Sequence, residues 1–315
     1  MTGASAAQVG AALVSVLLDA RFGEPPTRAH PVVWMGGYLG LKGRVLEVSS
    51  RPLPCFALGA AFVLVGAGGC GVLAWGFTRA ASRLPWPGTL ISTAALLKPL
   101  FSVSALLDAG KAVQEALEQP DLAEARRLLA WHLVSRDTAD LSASEVAGAA
   151  VSSLAENLTD SVVAPLFYFA LFGLPGAAVY RFVNTADAVL GYRTRELEHF
   201  GKFAARTDDA LNYVPARLAG ALLGLALKLS GRDALLAWRG VRRDARLPPS
   251  PNGGVTMALA AAGLGVRLEK RGVYVLNAAG RAPTAADIGR ADRLIRRTVA
   301  LGLGVYLAVW GLNRA

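Results

Sequence analysis

The sequence predicts an all-α fold: a polytopic integral membrane protein with broken helices and with helical and loop segments on the cytoplasmic side. Three observations lead there. Of the 315 residues 53% are hydrophobic and only 18% charged, and the mean hydropathy of +0.40 exceeds what a soluble domain usually shows. Residues 55–77, CFALGAAFVLVGAGGCGVLAWGF, carry no charge and are long enough to cross roughly 30 Å of hydrocarbon as a helix. Strand signals are nearly absent, the exception being GVYVL at 272–276.

Along the chain, the apolar stretch 6–18 has no basic region before it and runs into Asp19 and Arg21 without a cleavage site, so it reads as a retained helix rather than a signal peptide. Asp19 to Gly36 is dense in Pro and Gly and predicts an ordered, turn-rich loop rather than a helix. After the 55–77 span, 89–107 can cross back, with Lys98-Pro99 leaving an interior cation and a kink; Lys98 must snorkel or face a cavity. Segment 121–150 reads as helical and amphipathic, with capping-box spacing from Ser142 to Glu145. The apolar stretch 161–183 is interrupted by Gly173-Leu174-Pro175-Gly176. That breaker predicts two half-helices, 161–172 and 175–183, which dip in and return; the alternative is a kinked span. Further apolar stretches lie at 214–229, 253–266 and 298–312, so the expected crossings number four to seven.

The 33 Lys+Arg exceed the 23 Asp+Glu, and in an apolar chain such an excess is the ordinary signature of cytoplasmic loops. Segment 21–54 carries Arg21, Arg28, Lys42, Arg44 and Arg51, against Arg79 and Arg83 in 78–88, which puts 21–54 inside and 78–88 outside. The expected organisation is one membrane-embedded domain over 1–315, with cytoplasmic segments at 108–160, 230–252 and 267–297. No zinc-finger, P-loop or RNP pattern occurs, and no basic run is interleaved with aromatics, so nucleic acid is not an expected partner. Cys55 and Cys70 are too few for a disulfide framework or a cysteine-based zinc site.

Polar residues bordering apolar stretches carry the chemistry. His30 closes the first loop, where a lone histidine is also an ordinary structural residue. Arg136-Asp137-Thr138 and Glu156-Asn157-Leu158-Thr159-Asp160 precede the 161 stretch. On a helix Glu156 and Asp160 share a face, where two carboxylates can hold Mg²⁺ with phosphate oxygens; equally, Asp160 can cap the next half-helix. Asn184, Asp187, Tyr192 and Arg193 form a third group, and Arg206, Asp208, Asp209, Asn212 and Arg217 a fourth. Aspartates beside arginines at a membrane boundary suit a metal–phosphate site or, more plainly, a salt-bridge cluster closing a loop. Ser250-Pro251-Asn252-Gly253-Gly254 is a turn whose backbone could meet a phosphate at a helix N-terminus.

These strings together resemble the CobD/CbiB family of cobalamin biosynthesis, the adenosylcobinamide-phosphate synthases. The likeness rests on Asp19–Gly36, RDT at 136–138, ENLTDSVVAPLFY at 156–168, GLPGA at 173–177, NTADAVLGYR at 184–193, the run from Phe200 to Arg217 and SPNGG at 250–254. The chain departs from the family pattern at Glu24, Ala186, Ala188-Val189 and Val255. The resemblance implies ATP- and Mg²⁺-dependent amide formation between adenosylcobyric acid, a corrinoid, and 1-amino-2-propanol phosphate or aminopropanol, at a cell membrane with the site facing the cytoplasm. It implies catalytic roles for Glu156, Asp187, Asp208, Asp209 and His30, and metal ligation by Glu156, Asp160, Asp208 and Asp209. Arg136, Arg193, Arg206 and Arg217 would bind phosphates, and Asn157, Asn184, Tyr192, Asn212 and Asn252 would position substrate. The candidate protein partners are a second copy of the chain or other membrane enzymes of the corrinoid pathway. Two other readings compete: a Mg²⁺-dependent intramembrane prenyl- or phosphotransferase, whose aspartate motifs are imitated only loosely here, and a transporter, which would predict inverted repeats that the sequence lacks.

Overall fold

The computed structural model describes residues 3–46 and 51–312. In chain order the helices are α1 (Gly3–Phe22), α2 (Pro31–Leu39), α3 (Lys42–Leu46), α4 (Pro52–Ala81), α5 (Trp86–Leu97), α6 (Ser104–Glu118), α7 (Leu122–His132), α8 (Ala143–Asn157), α9 (Ala164–Leu190), α10 (Lys202–Leu229), α11 (Ala234–Asp244), α12 (Gly253–Leu264) and α13 (Ala285–Leu312). Between α12 and α13 the expected strand pairs antiparallel with a neighbour, β1 (Leu268–Lys270) with β2 (Tyr274–Leu276). Among the described residues four helical runs are long and apolar enough to cross a membrane: 52–81, 86–118, 143–190 and 202–229. They match four of the apolar stretches read from the sequence; 6–18, 253–266 and 298–312 do not join them.

Contacts divide the chain into two compact units, one holding residues up to 102 with 164–212, the other 103–163 with 213 to the end of α13. In the first unit α1 packs on α5 and α4 runs along α9. Close approach explains two glycines of α4: a Cβ on Gly59 would fall 2.0 Å from the Phe200 carbonyl oxygen, and one on Gly66 would fall 2.1 Å from the Phe182 ring. The turn-rich loop expected over 19–36 is shorter at both ends: α1 runs on through Phe22, and Pro31 opens α2. Proline suits the first helical position, and His30 Nδ1 accepts the Val32 amide at 3.2 Å as the N-cap. An apolar cavity of about 900 Å³ lies in this unit, reached by Trp34, Tyr38, Leu73, Phe77 and Phe182 and touched by Glu24 and Lys98.

The half-helix expectation holds at its centre. Gly173 adopts φ 67°, ψ −158°, a region open essentially to glycine alone, and Pro175 then falls in the first turn of the next segment, where its missing N–H costs nothing. The chain folds back there. Tyr168 and Gly176 would stand about 12 Å apart along a straight helix, yet a Cβ on Gly176 would lie 2.6 Å from the Tyr168 carbonyl oxygen, and Tyr168 stacks on Tyr180 with ring centroids 5.2 Å apart. Two boundaries differ from expectation. The second arm continues to Leu190 rather than stopping at 183. No break precedes 161: α8 passes into α9 through a π-helical turn, Leu158–Val163, so Asp160 lies within a helical run rather than at the start of a half-helix. Pro165 lies just past this turn, where its missing N–H cannot complete an α-helical bond, and a π turn absorbs such a local mismatch without ending the helix.

In the second unit α8 is the core element, with every residue from Val146 to Ala155 buried against α6, α7, α12, α13 and β1. The Ser142–Glu145 capping box forms as expected. The helical region 121–150 is two helices, the second opening at this cap; Arg126 Nε donates to the Leu141 carbonyl at 2.7 Å and Thr138 Oγ1 to the Arg126 carbonyl at 3.0 Å, which ties the turn between α7 and α8 back onto α7.

Candidate active site

In the first unit, the end of α9 and the start of α10 bring three carboxylates together. Asn184 and Asp187 are one turn apart on α9, and Asp208 and Asn212 are one turn apart on α10. Asp208 is 7% exposed and is gripped from both sides: Asn184 Nδ2 donates to Oδ1 at 3.3 Å and Asn212 Nδ2 to Oδ2 at 3.0 Å. Asn212 is itself oriented by the Tyr180 hydroxyl, which donates to its Oδ1 at 2.8 Å, and Tyr168 donates to the Leu211 carbonyl at 2.8 Å. The folded-back arms of α9 thus aim the amide that aims the aspartate. Asp187 and Asp209 lie within electrostatic reach of each other and of Asp208. Gly191 is required beside them, since a Cβ there would fall 2.1 Å from Asp187 Oδ1.

Among the described residues neither Asp187 nor Asp208 has an ion-pair partner. Clustered carboxylates without a cation are costly unless something positive shares the site. No three His, Cys, Asp or Glu among the described residues form a ready metal cage. Mg²⁺ usually takes one or two carboxylates and completes its shell with water and substrate phosphates, a habit that one or two of Asp187, Asp208 and Asp209 would meet.

A second polar group lies in the other unit. Asn157, at the end of α8, donates to the Ser153 carbonyl at 3.0 Å and accepts from Ser161 at 3.2 Å. Arg217 donates to Asn252 Oδ1 at 2.7 Å and to the Pro251 carbonyl at 3.3 Å, and its guanidinium lies 3.7 Å from the centre of the Tyr213 ring. The glycines of SPNGG are packing residues: a Cβ on Gly253 would meet Glu156 Oε1 at 2.8 Å, and one on Gly254 the Ala245 carbonyl oxygen at 2.1 Å. Tyr274 of β2 stands within electrostatic reach of Glu156 and Arg136. Burial first, and then the Glu156 charge, push its phenol above the usual range against the opposing pull of Ser152 and Arg136.

The sequence-predicted residues therefore divide. Asn184, Asp187, Asp208, Asp209 and Asn212 meet in the first unit, with Tyr192, Arg193 and Arg206 exposed on that unit. Glu156, Asn157, Arg136, Arg217 and Asn252 belong to the second, as does Asp160, half-buried in the π turn. His30 is engaged apart from the aspartates, capping α2 and pairing through Nε2 with Glu24 at 3.0 Å. Glu24 in turn meets Lys98 Nζ at 3.0 Å, and Lys98 reaches Asp19 at 2.9 Å. Tyr168, Tyr180 and Tyr274 escaped the sequence reading because each lies in an apolar run and looks like core. Their only distinguishing signal is a hydroxyl that needs a partner when buried.

Comparison with known proteins agrees with these motifs. The family model described as CobD/Cbib protein matches residues 12–301. The chain is 44% identical over 271 residues, 85% of its own length and 86% of the relative's, to a probable cobalamin biosynthesis protein CobD of Methanothermobacter thermautotrophicus. It is 42% identical to the cobalamin biosynthesis protein CobD of Geobacter metallireducens, over 83% of this chain and 81% of that one. It is 34% identical to a probable CobD of Methanocaldococcus jannaschii over 95% and 97% of the two chains. No solved structure matches. A motif-bearing chain matched over nearly its whole length by one family belongs to that family, and this chain is a member of the CobD/CbiB family of cobalamin biosynthesis.

Proposed function

We propose that the protein is an ATP- and Mg²⁺-dependent acid–amine ligase, an adenosylcobinamide-phosphate synthase. It joins the free carboxylate of adenosylcobyric acid to the amine of 1-amino-2-propanol phosphate or aminopropanol. The observation that carries this reading beyond the pathway is the buried Asp208, held by Asn184 and Asn212 beside Asp187 and Asp209.

A carboxylate is a poor acyl donor because oxide is a poor leaving group. Phosphoryl transfer from ATP gives an acyl phosphate and ADP; the amine then attacks the acyl carbon, phosphate leaves with its bonding electrons, and the ammonium proton passes to a base. When bound, Mg²⁺ would neutralise phosphate oxygens, with Asp187, Asp208 and Asp209 as the first candidate ligands. An aspartate not engaged by metal is placed to take the amine proton, and the Asn184 and Asn212 amides fix the orientation of Asp208 for either task. Arg217, fixed by Asn252 and stacked on Tyr213, presents a guanidinium suited to a phosphate.

The test is incubation of detergent-purified protein with ATP, Mg²⁺, adenosylcobyric acid and aminopropanol phosphate, with the amide detected by mass. Product that disappears when ATP is withheld supports the ligase. Folded protein that forms no product with either amino alcohol overturns it.

A further inference from the structure

A second site, independent of the reaction proposed above, lies in the second unit where α10 ends and α13 passes it. A pocket of about 120 Å³ is lined by Arg232, Arg290, Arg293, Arg297, Ser230 and leucine side chains, with no carboxylate in its wall. Arg290, Arg293 and Arg297 recur at i, i+3 and i+7, so α13 stacks them on one face. Gly231, at φ 70°, reverses the chain after α10 and delivers Arg232 to the same place. Arg297 donates to Ser230 Oγ. Arg290 shares Asp287 with Arg281. Among the described residues no carboxylate lies within ion-pair distance of Arg232, Arg293 or Arg297, whereas their neighbour Arg296 is paired with Asp292.

Like charges on one helix face repel, and four guanidiniums around one small pocket are stable together when an anion shares it. The pocket has room for a single phosphate group and not for a nucleotide. We infer that it is a phosphate-binding site. Its surroundings make a lipid headgroup the expected source. The chain on either side of Arg232 exposes Leu229, Leu235 and Leu236, at 66%, 76% and 55%. The pocket lies at the end of a helix long and apolar enough to span a membrane. Beyond Arg297, α13 carries no charge through Leu312 and exposes Val305, Leu307 and Val309. Arginines at such a polar-to-apolar boundary are where anionic headgroups bind.

The experiment places the full-length protein in nanodiscs of phosphatidylcholine with phosphatidylglycerol mixed in, and counts retained lipid by native mass spectrometry after release into detergent. In parallel, thermal unfolding in lipid-free detergent is followed as inorganic phosphate is added. The variants are R293Q/R297Q, in the pocket, and R242Q/R296Q, which removes the same charge outside it; thermal unfolding without phosphate verifies that both fold. If either fails to fold, R293Q alone is compared with R296Q alone. Retention of phosphatidylglycerol by wild type and R242Q/R296Q, reduced about tenfold or more in R293Q/R297Q, supports the site with a lipid source; that is the scale of losing two arginine–lipid contacts. Saturable stabilisation by inorganic phosphate that R293Q/R297Q abolishes, without lipid retention, supports the site with free phosphate as its source. Neither response in wild type, or an equal loss in both variants, overturns it.

Discussion

Lys98 shows how a charge survives among apolar helices. Its ammonium is buried between Asp19 and Glu24, so Lys98→Met removes the cation that the two carboxylates share and should destabilise the protein by about 3–5 kcal/mol. Thermal unfolding in detergent measures this, and a variant as stable as wild type would contradict the pairing. Burial works to raise the Glu24 carboxyl, but hydrogen bonds from His30, Ser102 and Lys98 outweigh it and hold the group at about 2, below its ordinary 4.5. A depressed carboxyl stabilises the fold fully above its unfolded pKa and loses that contribution as pH falls toward the folded one. The stability advantage of wild type over Glu24→Gln should therefore be constant above about pH 5 and shrink toward about pH 2; a difference that stays flat on acidification sinks the argument. The interior cation was legible in the sequence, and so was the acidic loop. Their pairing was not, because contact between residues so far apart is decided by how α1 and α5 pack. Asp208 repeats the lesson: its pairing with Asn212 follows helical spacing, whereas its contact with Asn184 needs α9 and α10 side by side. Asp208→Asn keeps the shape, removes the charge and turns one of the two acceptors into a donor facing an amide NH2; under the proposed mechanism it should lower ligase turnover on the order of 10²-fold or more, with thermal unfolding measured alongside to separate any loss of stability. Turnover within a few-fold of wild type in correctly inserted protein would take Asp208 out of the mechanism.

Among the elements, the folded-back helix matters most for the site, because its return arm carries Tyr180, Asn184 and Asp187. Gly-Leu-Pro-Gly gave it away in the sequence: a glycine that can take positive φ, and a proline that can start a helix but not continue one. Gly173→Ala should cost about 1–3 kcal/mol. It should lower activity by more than its stability loss explains, since the arm that aims Asn212 would shift; thermal unfolding and turnover measured together separate the two effects. A stable, fully active Gly173→Ala would show that the break is not needed. The capping box at Ser142 was equally legible from spacing, and Ser142→Ala should cost about 1 kcal/mol. Its Glu145 also pairs with Arg271, a contact no local pattern announces. The π turn at 158–163 was hidden although Pro165 follows it, because a proline alone does not say whether a helix ends or only deforms, and α2 was hidden because Pro and Gly density reads as a loop until Pro31 is seen at a helix start.

For the whole molecule, the decisive property is which face of the membrane carries the aspartates. Within the first unit α4 gives the ruler. Gly59, near its start, touches the Phe200 backbone, so the 191–201 loop that follows Asp187 lies at that end, and Lys42 of the basic 21–54 segment donates to the Val189 carbonyl at 3.4 Å beside it. Ser82, just past the other end of α4, stands about 34 Å further along the helix axis, enough to cover the roughly 30 Å hydrocarbon core. The positive-inside rule predicts that the arginine-rich 21–54 segment lies inside; on that prediction the 191–201 loop and the aspartates should face the cytoplasm, where ATP and Mg²⁺ are available, and Ser82 should face out. The two native cysteines are first replaced by alanine; S82C should then react with a membrane-impermeant maleimide in intact cells, and R195C only in inverted vesicles. Labelling of R195C in intact cells would put the carboxylates on the face without ATP, and the ligase reading would then need another phosphoryl donor.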